Sequence, residues 1–318
     1  MKVLRDGETQ QCLEPSAAAI GVFDGLHQGH QKVLEHVREL GFEHGAVPTV
    51  VTFDPHPALT LAPDRAPLQL ATLDQRLEGL ARLGIEQVRV VTFDDALAQE
   101  SARSFIERVL VGELGARDVV VGEDFVFGHG REGNVETLRL EGRSHGFLVH
   151  PAPIYSGSRR WSSTEVRRAL ANGDLDGAAA ILGRPFTLRG SVVHGDARGA
   201  QLGFRTANMA LAPRQQLPSL GIYAGAVRMP DRSWWPAAIS VGTRPQFYDD
   251  GDLLVEVHVP GFSGDLYEER VDVAFLTRLR GETKFSDAAE LVGQIGADVE
   301  RTLDVYTKFN PEASALLG

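Results

Sequence analysis

The sequence is poor in cysteine and contains no long apolar run. Its one cysteine, Cys12, excludes an intrachain disulfide framework and is typical of a chain in a reducing cytoplasm. No apolar run approaches the roughly 20 residues that are needed to span a bilayer. No charged segment followed by an apolar one opens the chain, so we expect neither a leader peptide nor a membrane anchor.

The chain also lacks an excess of basic residues. Its formal net charge of −11 argues against a nonspecific grip on long nucleic acid. A nucleotide is a different case, because a small anion responds to the groups nearest to it. The length of 318 residues favours two domains over one, since single cores stop growing beyond roughly 250 residues. We expect a globular cytoplasmic protein without nucleic-acid or membrane partners, and the oligomeric state cannot be derived from the sequence.

The most informative segment covers residues 17–40. A short apolar run stops at Asp24-Gly25, and apolar residues then recur at the spacing of a helix. His27 and His30 lie three residues apart where this helix begins. A helix N-terminus presents unpaired N–H groups and the positive end of the helix dipole. The segment therefore predicts a phosphate site in which two imidazoles stabilise negative charge.

A metal site is the alternative for the two histidines, but catalytic zinc needs a third protein ligand and none has an obvious spacing. Residues 21–30, GVFDGLHQGH, resemble the G-x-F-D-G-x-H-x-G-H signature of the HxGH nucleotidyltransferases. That resemblance implies attack on the α-phosphate of a nucleotide and release of pyrophosphate. It also implies that His27 and His30 hold the triphosphate and do not act as nucleophiles.

Strands alternate with helices through the first half of the chain. β-branched runs predict strands at residues 46–53, 88–93, 119–121 and 147–149, and periodic apolar residues predict helices at 72–83 and 100–114. This order predicts an α/β domain with a doubly wound, mostly parallel sheet, and the first 16 residues add one edge strand. Ligands collect at the carboxyl ends of such strands, where residues 21–30 and 54–57 both lie.

Residues 122–133, GEDFVFGHGREG, contain a formal G-x-G-x-x-G after a predicted strand. The acidic partner of a dinucleotide fingerprint, expected about 20 residues later, is missing. We interpret the segment as a mobile glycine-rich loop near a ligand. An NAD(P)-linked oxidoreductase is the alternative function that this feature raises.

Hydroxyl groups, a glutamate and arginines follow at residues 159–168. Ser162 and Glu165 have the spacing of a capping box, which predicts the start of a helix. Ser163, Thr164 and Arg167 project from this start, where hydroxyl, N–H and guanidinium groups can together bind phosphate. The alternative is simply a well-capped helix.

Four motifs now stand in one order: the histidine string, FDPHP at 53–57, GEDFVFG at 122–128 and SSTEVR at 162–167. Together they resemble the adenylyltransferase module of bacterial bifunctional riboflavin kinase/FAD synthetases. The resemblance implies that nucleotide and phosphate are bound by Gly21, Phe23, Asp24, Gly25, Ser163, Thr164 and Arg167. It implies that FMN is contacted by Asp54, Pro55, Asp124 and Phe125.

Short, closely spaced strands follow residue 183. They are predicted at residues 192–193, 222–227, 237–241, 253–259 and 271–275, which is typical of a compact antiparallel β-barrel. An amphipathic helix over residues 286–306, with Ser286 as its N-cap, closes the chain. We expect a nucleotidyltransferase domain at residues 1–183 and a barrel domain with a C-terminal helix at residues 184–318.

The polar, glycine-rich segment at residues 195–208 has no Walker A pattern, so it is not a P-loop. It resembles the G-F-P-T-A-N segment of riboflavin kinases, which implies ATP binding by Gly203, Phe204, Thr206 and Asn208, with Mg²⁺ on the last two. Glu256 matches the catalytic carboxylate that takes a proton from riboflavin. The alternating strand pattern by itself would place Glu256 on the solvent face of a strand. The string at 279–285 implies a flavin contact by Arg280.

Two positions depart from the kinase pattern: Arg205 replaces proline and Gln246 replaces threonine. Arg205 leaves the backbone free beside a proposed metal ligand, and its guanidinium could add a phosphate contact. The sequence predicts a transferase that phosphorylates riboflavin to FMN with MgATP and adenylylates FMN to FAD. The alternatives are an FMN adenylyltransferase with a non-catalytic, flavin-binding barrel, and a flavin or nucleotide sensor without turnover.

Overall fold

The computed structural model describes residues 1–7, 14–155, 160–195, 203–243 and 253–317. Cys12 and Gln246, on which two of the expectations depend, lie outside these ranges. The chain divides into two compact units: Met1–Pro67 with Leu73–Ser162, and Leu68–Thr72 with Ser163–Gly318. The domain boundary that we expect between residues 183 and 184 stays a prediction.

A six-stranded sheet forms the centre of the first unit. Its strands are β1 (Lys2–Leu4), β2 (Ser16–Ile20), β3 (Val47–Asp54), β4 (Gln87–Thr92), β5 (Ala116–Gly122) and β8 (Leu148–Ala152). The order is β1-β4-β3-β2-β5-β8, and every neighbouring pair is parallel. The direction of winding reverses between β2 and β5. This confirms the doubly wound sheet and places its topological switch point beside the histidine segment.

Helices and short turns connect these strands. They are α1 (Gln28–His44), α2 (Pro57–Leu61), a 3-10 turn (Pro63–Arg65), α3 (Leu73–Arg82), α4 (Asp95–Ala98), α5 (Ala102–Phe105) and α6 (Val135–His145). The helix predicted at residues 100–114 is present but becomes a π-helix over Ile106–Glu113. Apolar periodicity did not reveal this change, because Ile106, Val109 and Leu110 stay buried in the wider turns.

The segment at residues 122–133, for which the sequence predicts a mobile glycine-rich loop near a ligand, contains a small hairpin. Strand β6 (Val126–Phe127) pairs with β7 (Gly133–Asn134) across a 3-10 turn at His129–Arg131. The sequence pattern did not reveal this hairpin, in which Gly128, with a φ of 75°, turns the chain back, and the nearness of the segment to a ligand stays a prediction. A Cβ on Gly128 would lie 2.6 Å from the backbone nitrogen of Ala102. Packing against α5 thus accounts for this glycine without a dinucleotide.

The second unit contains two helices and a closed six-stranded barrel. The helices are α7 (Ser163–Ala171) and α8 (Leu175–Leu182). The strands are β9 (Phe186–Val193), β10 (Thr206–Leu211), β11 (Gly221–Arg228), β12 (Trp234–Thr243), β13 (Leu253–His258) and β14 (Arg270–Arg280). They close in the order β10-β13-β12-β11-β14-β9 with antiparallel neighbours, which confirms the predicted barrel. Strand β10 was missed, because TANMAL has little apolar alternation.

The closing helix, α9 (Ala288–Tyr306), is capped by Asp287 and not by Ser286. The Asp287 carboxylate accepts a hydrogen bond from the backbone N–H of Glu290 at 2.9 Å. The Ser286 hydroxyl donates instead to the Glu290 carboxylate at 2.8 Å. The prediction failed because two adjacent residues could each cap this helix. Among the described residues, no helix is long and apolar enough to cross a membrane.

Replacing Asp287 by alanine should lower the free energy of unfolding by about 1 kcal/mol, the usual effect of losing an N-cap. Ser286→Ala should cost less, because the serine hydroxyl contacts only an exposed carboxylate. Equilibrium unfolding in urea measures both values. A larger loss for Ser286→Ala would contradict Asp287 as the cap.

Candidate active sites

The connection from β2 to α1 follows a strained path. Phe23 and Leu26 have φ angles of 55° and 45°, which side chains other than glycine rarely adopt. Both side chains are buried, at 3% and 2% exposure, so packing holds the backbone in this conformation. Gly21, Asp24 and Gly25 lie in the same connection, and Asp24 is buried. We call residues 21–27 the nucleotide loop, after the ligand that the sequence predicts for it.

His27 is the N-cap of α1. Its Nδ1 accepts a hydrogen bond from the backbone N–H of His30 at 3.3 Å. A neutral His27 therefore carries its proton on Nε2. The two imidazoles stack with their centroids 3.6 Å apart, and the Phe23 ring meets His30 edge-on at 5.1 Å. The structure brings the predicted histidines together.

His27 is buried, whereas His30 is half-buried and its Nδ1 is fully enclosed. Burial lowers its pKa well below the ordinary value of 6.5, and the neighbouring His27 lowers this pKa further. Its Nδ1 is buried and has no hydrogen-bond partner among the described residues. His30 is therefore neutral at pH 7, and its ring keeps unused hydrogen-bonding capacity beside the cavity described next.

A cavity of about 210 Å³ opens beside both histidines, where β2 and β5 end. Gly21, Phe23, Asp124 and Trp161 contribute to its walls. The Asp124 carboxylate accepts a hydrogen bond from the Arg160 guanidinium at 3.1 Å. The cavity thus lies at the switch point of the sheet, where α/β folds place their ligands.

Gly29 lies directly under the His27 ring. A Cβ at this position would be 3.1 Å from both Nδ1 and Cε1 of His27, and 3.5 Å from the Trp161 carbonyl oxygen. These distances leave no room for a side chain unless the imidazole moves. The third residue of the H-Q-G-H string thus lets His27 pack over the first turn of α1.

The other predicted residues of this unit lie at two places. Asp54 is the last residue of β3 and Pro55 follows it. We call residues 54–57 the flavin loop, after the ligand that the sequence predicts for it. Asp124 and Phe125 lie between β5 and the hairpin, where the Phe125 ring stacks on Phe127 at 5.3 Å. Asp124 borders the histidine cavity, whereas Asp54 and Pro55 are not among its lining residues.

Arg76 is a functional candidate that the sequence reasoning missed. Its side chain is 3% exposed, and its Nη2 donates to the Asp54 carboxylate at 3.4 Å. Burial lowers the pKa of this guanidinium, and the charges of Asp24 and Asp54 oppose that shift. The signal was an arginine on the apolar face of α3, in register with Leu73, Leu77 and Leu80.

Ser163, Thr164 and Arg167 belong to the first two turns of α7, in the second unit. The helix begins where the capping pattern predicts it. The Arg167 Nε donates to the backbone carbonyl of Leu68 at 2.6 Å. The approach of these three residues to a phosphate beside the histidines stays a prediction.

Three predicted residues of the barrel meet on two adjacent strands. Asn208 on β10 pairs in register with Glu256 on β13, and the Thr206 hydroxyl donates to the Glu256 carboxylate at 3.4 Å. Val255 and Val257 are buried, so the half-buried Glu256 projects from the opposite face of its strand. Hydroxyl, amide and carboxylate oxygens thus form one cluster, which suits the hard cation Mg²⁺.

A cavity of about 510 Å³ adjoins this cluster. Its walls include Thr206, Asn208 and the exposed Arg205, together with residues 262–267. Gly195 is pressed against the cluster, since a Cβ there would lie 2.1 Å from the Asn208 Nδ2.

The remaining kinase residues fall into two groups. Gly203 and Phe204 immediately precede β10, and the Phe204 ring meets His258 edge-on at 5.5 Å. Arg280 lies at the far end of β14, where its Nε donates to the buried Asp298 carboxylate of α9 at 2.9 Å. Arg280 is not among the residues that line the cavity beside the oxygen cluster, and its role toward a flavin stays a prediction.

Comparison with known proteins identifies both halves. The family model described as FAD synthetase matches residues 9–165, and the model described as riboflavin kinase matches residues 182–306. A protein of Pseudomonas fluorescens named bifunctional riboflavin kinase/FMN adenylyltransferase is 40% identical over 283 residues, which cover 89% of this chain and 90% of that protein. A protein of the same name from Escherichia coli K12 is 37% identical over 301 residues, 94% of this chain and 96% of that one.

A solved structure is also similar over nearly the whole chain. It is named macrolide-efflux protein from Streptococcus pneumoniae, and it superposes with a TM-score of 0.85 at 30% identity. The match covers 96% of this chain and 99% of that one.

The low pKa of His30 predicts a pH dependence of stability. Well above pH 6.5 this histidine is neutral in both the folded and the unfolded states. Below that pH the His30 imidazole binds a proton in the unfolded chain but not in the folded chain. The free energy of unfolding should therefore fall by up to about 1.4 kcal/mol for each pH unit below 6.5 on account of His30.

Urea unfolding at about pH 7.5 and about pH 5.5 tests this slope in the wild type and in His30→Gln. The variant should lose less stability between the two pH values than the wild type loses. His129→Gln, which replaces an exposed imidazole, is the control and should keep the wild-type slope. Equal slopes in the wild type and His30→Gln would contradict the shifted pKa.

Proposed function

The chain belongs to the bifunctional riboflavin kinase/FMN adenylyltransferase family, and we propose that its two sites carry out the two successive steps of FAD synthesis. The barrel would phosphorylate riboflavin to FMN with ATP. The parallel-sheet unit would join the adenylyl group of a second ATP to FMN. The observation that supports this division best is the pair of separate clusters, His27 with His30 and Thr206 with Glu256.

In adenylyl transfer, a phosphate oxygen of FMN attacks the α-phosphorus of ATP. The bond from that phosphorus to the bridging oxygen breaks, and pyrophosphate leaves. The Nε2–H of His27, one N–H of His30 and the first amides of α1 would donate hydrogen bonds to the charge that develops. The protein supplies alignment and charge neutralisation, and no side chain is a nucleophile.

The remaining residues would hold the two substrates of this step. Gly21, Phe23, Asp24 and Gly25 shape the nucleotide loop around the ATP phosphates. Ser163, Thr164 and Arg167 would add hydroxyl and guanidinium contacts to those phosphates. Contacts to FMN would come from Asp54, Pro55, Asp124 and Phe125.

In the kinase step, the 5′-hydroxyl oxygen of riboflavin attacks the γ-phosphorus of ATP, and ADP leaves. Glu256 would accept the proton of that hydroxyl. Gly203 and Phe204 would flank the ATP, and Arg280 would contact the flavin. Exposed Arg205 borders the cavity, which supports an added phosphate contact where proline is usual.

Mg²⁺ fits the oxygen cluster of the barrel, where Thr206 and Asn208 would hold it beside the carboxylate of Glu256. When bound, the ion supplies positive charge that offsets the charge of the ATP phosphates. We propose a cytoplasmic location, which agrees with the single cysteine.

Substitutions at the two clusters should separate the two activities. His27→Ala should reduce FAD formation from FMN and ATP by at least about 100-fold, because it removes a donor to the transition state, and should leave riboflavin phosphorylation unchanged. Glu256→Gln should do the reverse, because it removes the base. Chromatography of FMN and FAD over time measures both steps. Equal loss of both activities in either variant would argue against two separate sites.

Gly29→Ala tests the packing of the His27 ring. The added methyl group should displace the imidazole by a few tenths of an ångström and lower the rate of FAD formation about tenfold, with riboflavin phosphorylation unchanged. The fold should survive, since alanine favours a helix. Gly293→Ala in α9 is the matched control, because nothing lies within 4 Å of a Cβ there. A normal rate in Gly29→Ala would show that the imidazole tolerates displacement.

A further inference from the structure

Arg76 places a buried charge between two loops of the first unit. Its guanidinium comes from α3 and is almost fully enclosed, at 3% exposure. A buried cation lowers stability unless it is paired and hydrogen-bonded. The hydrogen-bond acceptors around this guanidinium therefore indicate why residue 76 is an arginine.

One nitrogen of Arg76 joins the ends of two strands. Its Nη1 lies 3.0 Å from the carbonyl oxygen of Val22, 3.1 Å from the hydroxyl of Thr52 and 3.2 Å from the carbonyl oxygen of Phe53. The Thr52 hydroxyl itself donates to the Val22 carbonyl at 3.1 Å. Val22 belongs to the nucleotide loop, and the other two residues lead into the flavin loop.

The carboxylates around Arg76 repeat this pattern. Asp54 of the flavin loop accepts from Nη2 at 3.4 Å, and the charge of Asp24 in the nucleotide loop acts on the same guanidinium. The nucleotide loop thus presents one backbone carbonyl and one acidic side chain to this planar cation, and Phe53 and Asp54 at the end of β3 present the same two kinds of group. A lysine has one nitrogen in place of this fork and cannot reach both sets of acceptors together.

We propose that Arg76 is a positioning residue that fixes the nucleotide loop relative to the flavin loop. It would thereby hold the FMN phosphate in line with the α-phosphorus of ATP. The inference rests on the proposed adenylyl transfer and adds a residue that touches neither substrate. Because in-line transfer is sensitive to misplacement by about 1 Å, a loosened bridge should slow the chemical step about 100-fold or less.

Arg89 offers a matched control. It is 5% exposed in β4 of the same unit, and it pairs with the carboxylates of Asp6 and Glu113. Both of these carboxylates lie outside the nucleotide loop and the flavin loop. Arg89→Lys should therefore destabilise the fold about as much as Arg76→Lys does, without changing the alignment of the substrates.

In Arg76→Lys, kcat for FAD formation should fall between about 10-fold and 100-fold, while riboflavin phosphorylation stays within about twofold of the wild type. Arg89→Lys should keep both rates within about twofold at a similar melting temperature. FMN is titrated with and without a non-hydrolysable ATP analogue. In the wild type and in Arg89→Lys, the analogue should change the affinity for FMN. In Arg76→Lys the affinity should be the same in both titrations, an effect that a merely structural role would not produce.

Thr52→Val is a milder second variant, should Arg76→Lys not fold. It removes only the hydroxyl that shares the Val22 carbonyl with Arg76, and it should lower the same kcat about threefold to tenfold. A kcat loss in Arg76→Lys no greater than in Arg89→Lys would overturn the positioning role, as would an unchanged kcat in Thr52→Val. If the wild type itself made no FAD from FMN and ATP, the proposed function would fail before this inference was tested.

Discussion

The arrangement at the start of α1 depends on one hydrogen bond, from the backbone N–H of His30 to the Nδ1 of His27. This bond caps α1, and it also selects the tautomer that leaves Nε2–H available. The same contact brings the two rings into a stack at 3.6 Å. A single cap thus fixes the helix start, the proton position and the spacing of two imidazoles.

The two proposed phosphate sites differ in the groups that would offset the negative charge of a phosphate. The parallel sheet offers a helix N-terminus and two stacked imidazoles at a switch point, so backbone amides would contribute much of the electrostatic field. The barrel offers Thr206, Asn208 and Glu256 on neighbouring strands, which are oxygens and suit a cation. Strand register, not a helix dipole, sets the geometry of the second cluster.

Most of the architecture could be read from the sequence, because apolar periodicity and turn residues determine it locally. The sheet, the barrel and the start of α1 followed from such patterns. The cap of α9 was misassigned because Ser286 and Asp287 are equally good by type, and only hydrogen-bond geometry separates them. Strand β10 and the role of Arg76 depend on partners distant in sequence, which no local pattern reports.

The neutral state of His30 is compatible with the anion site that we propose beside it in this acidic protein. A charged imidazole in that cavity would need a counter-ion whenever the site lacked a ligand, at a large desolvation cost. A neutral ring avoids this cost and still donates one hydrogen bond. The positive electrostatic potential at the site would then come from backbone amides and the helix N-terminus, whose partial charges do not change with pH. Net charge therefore says little about this site, whereas the first turn of α1 largely defines it.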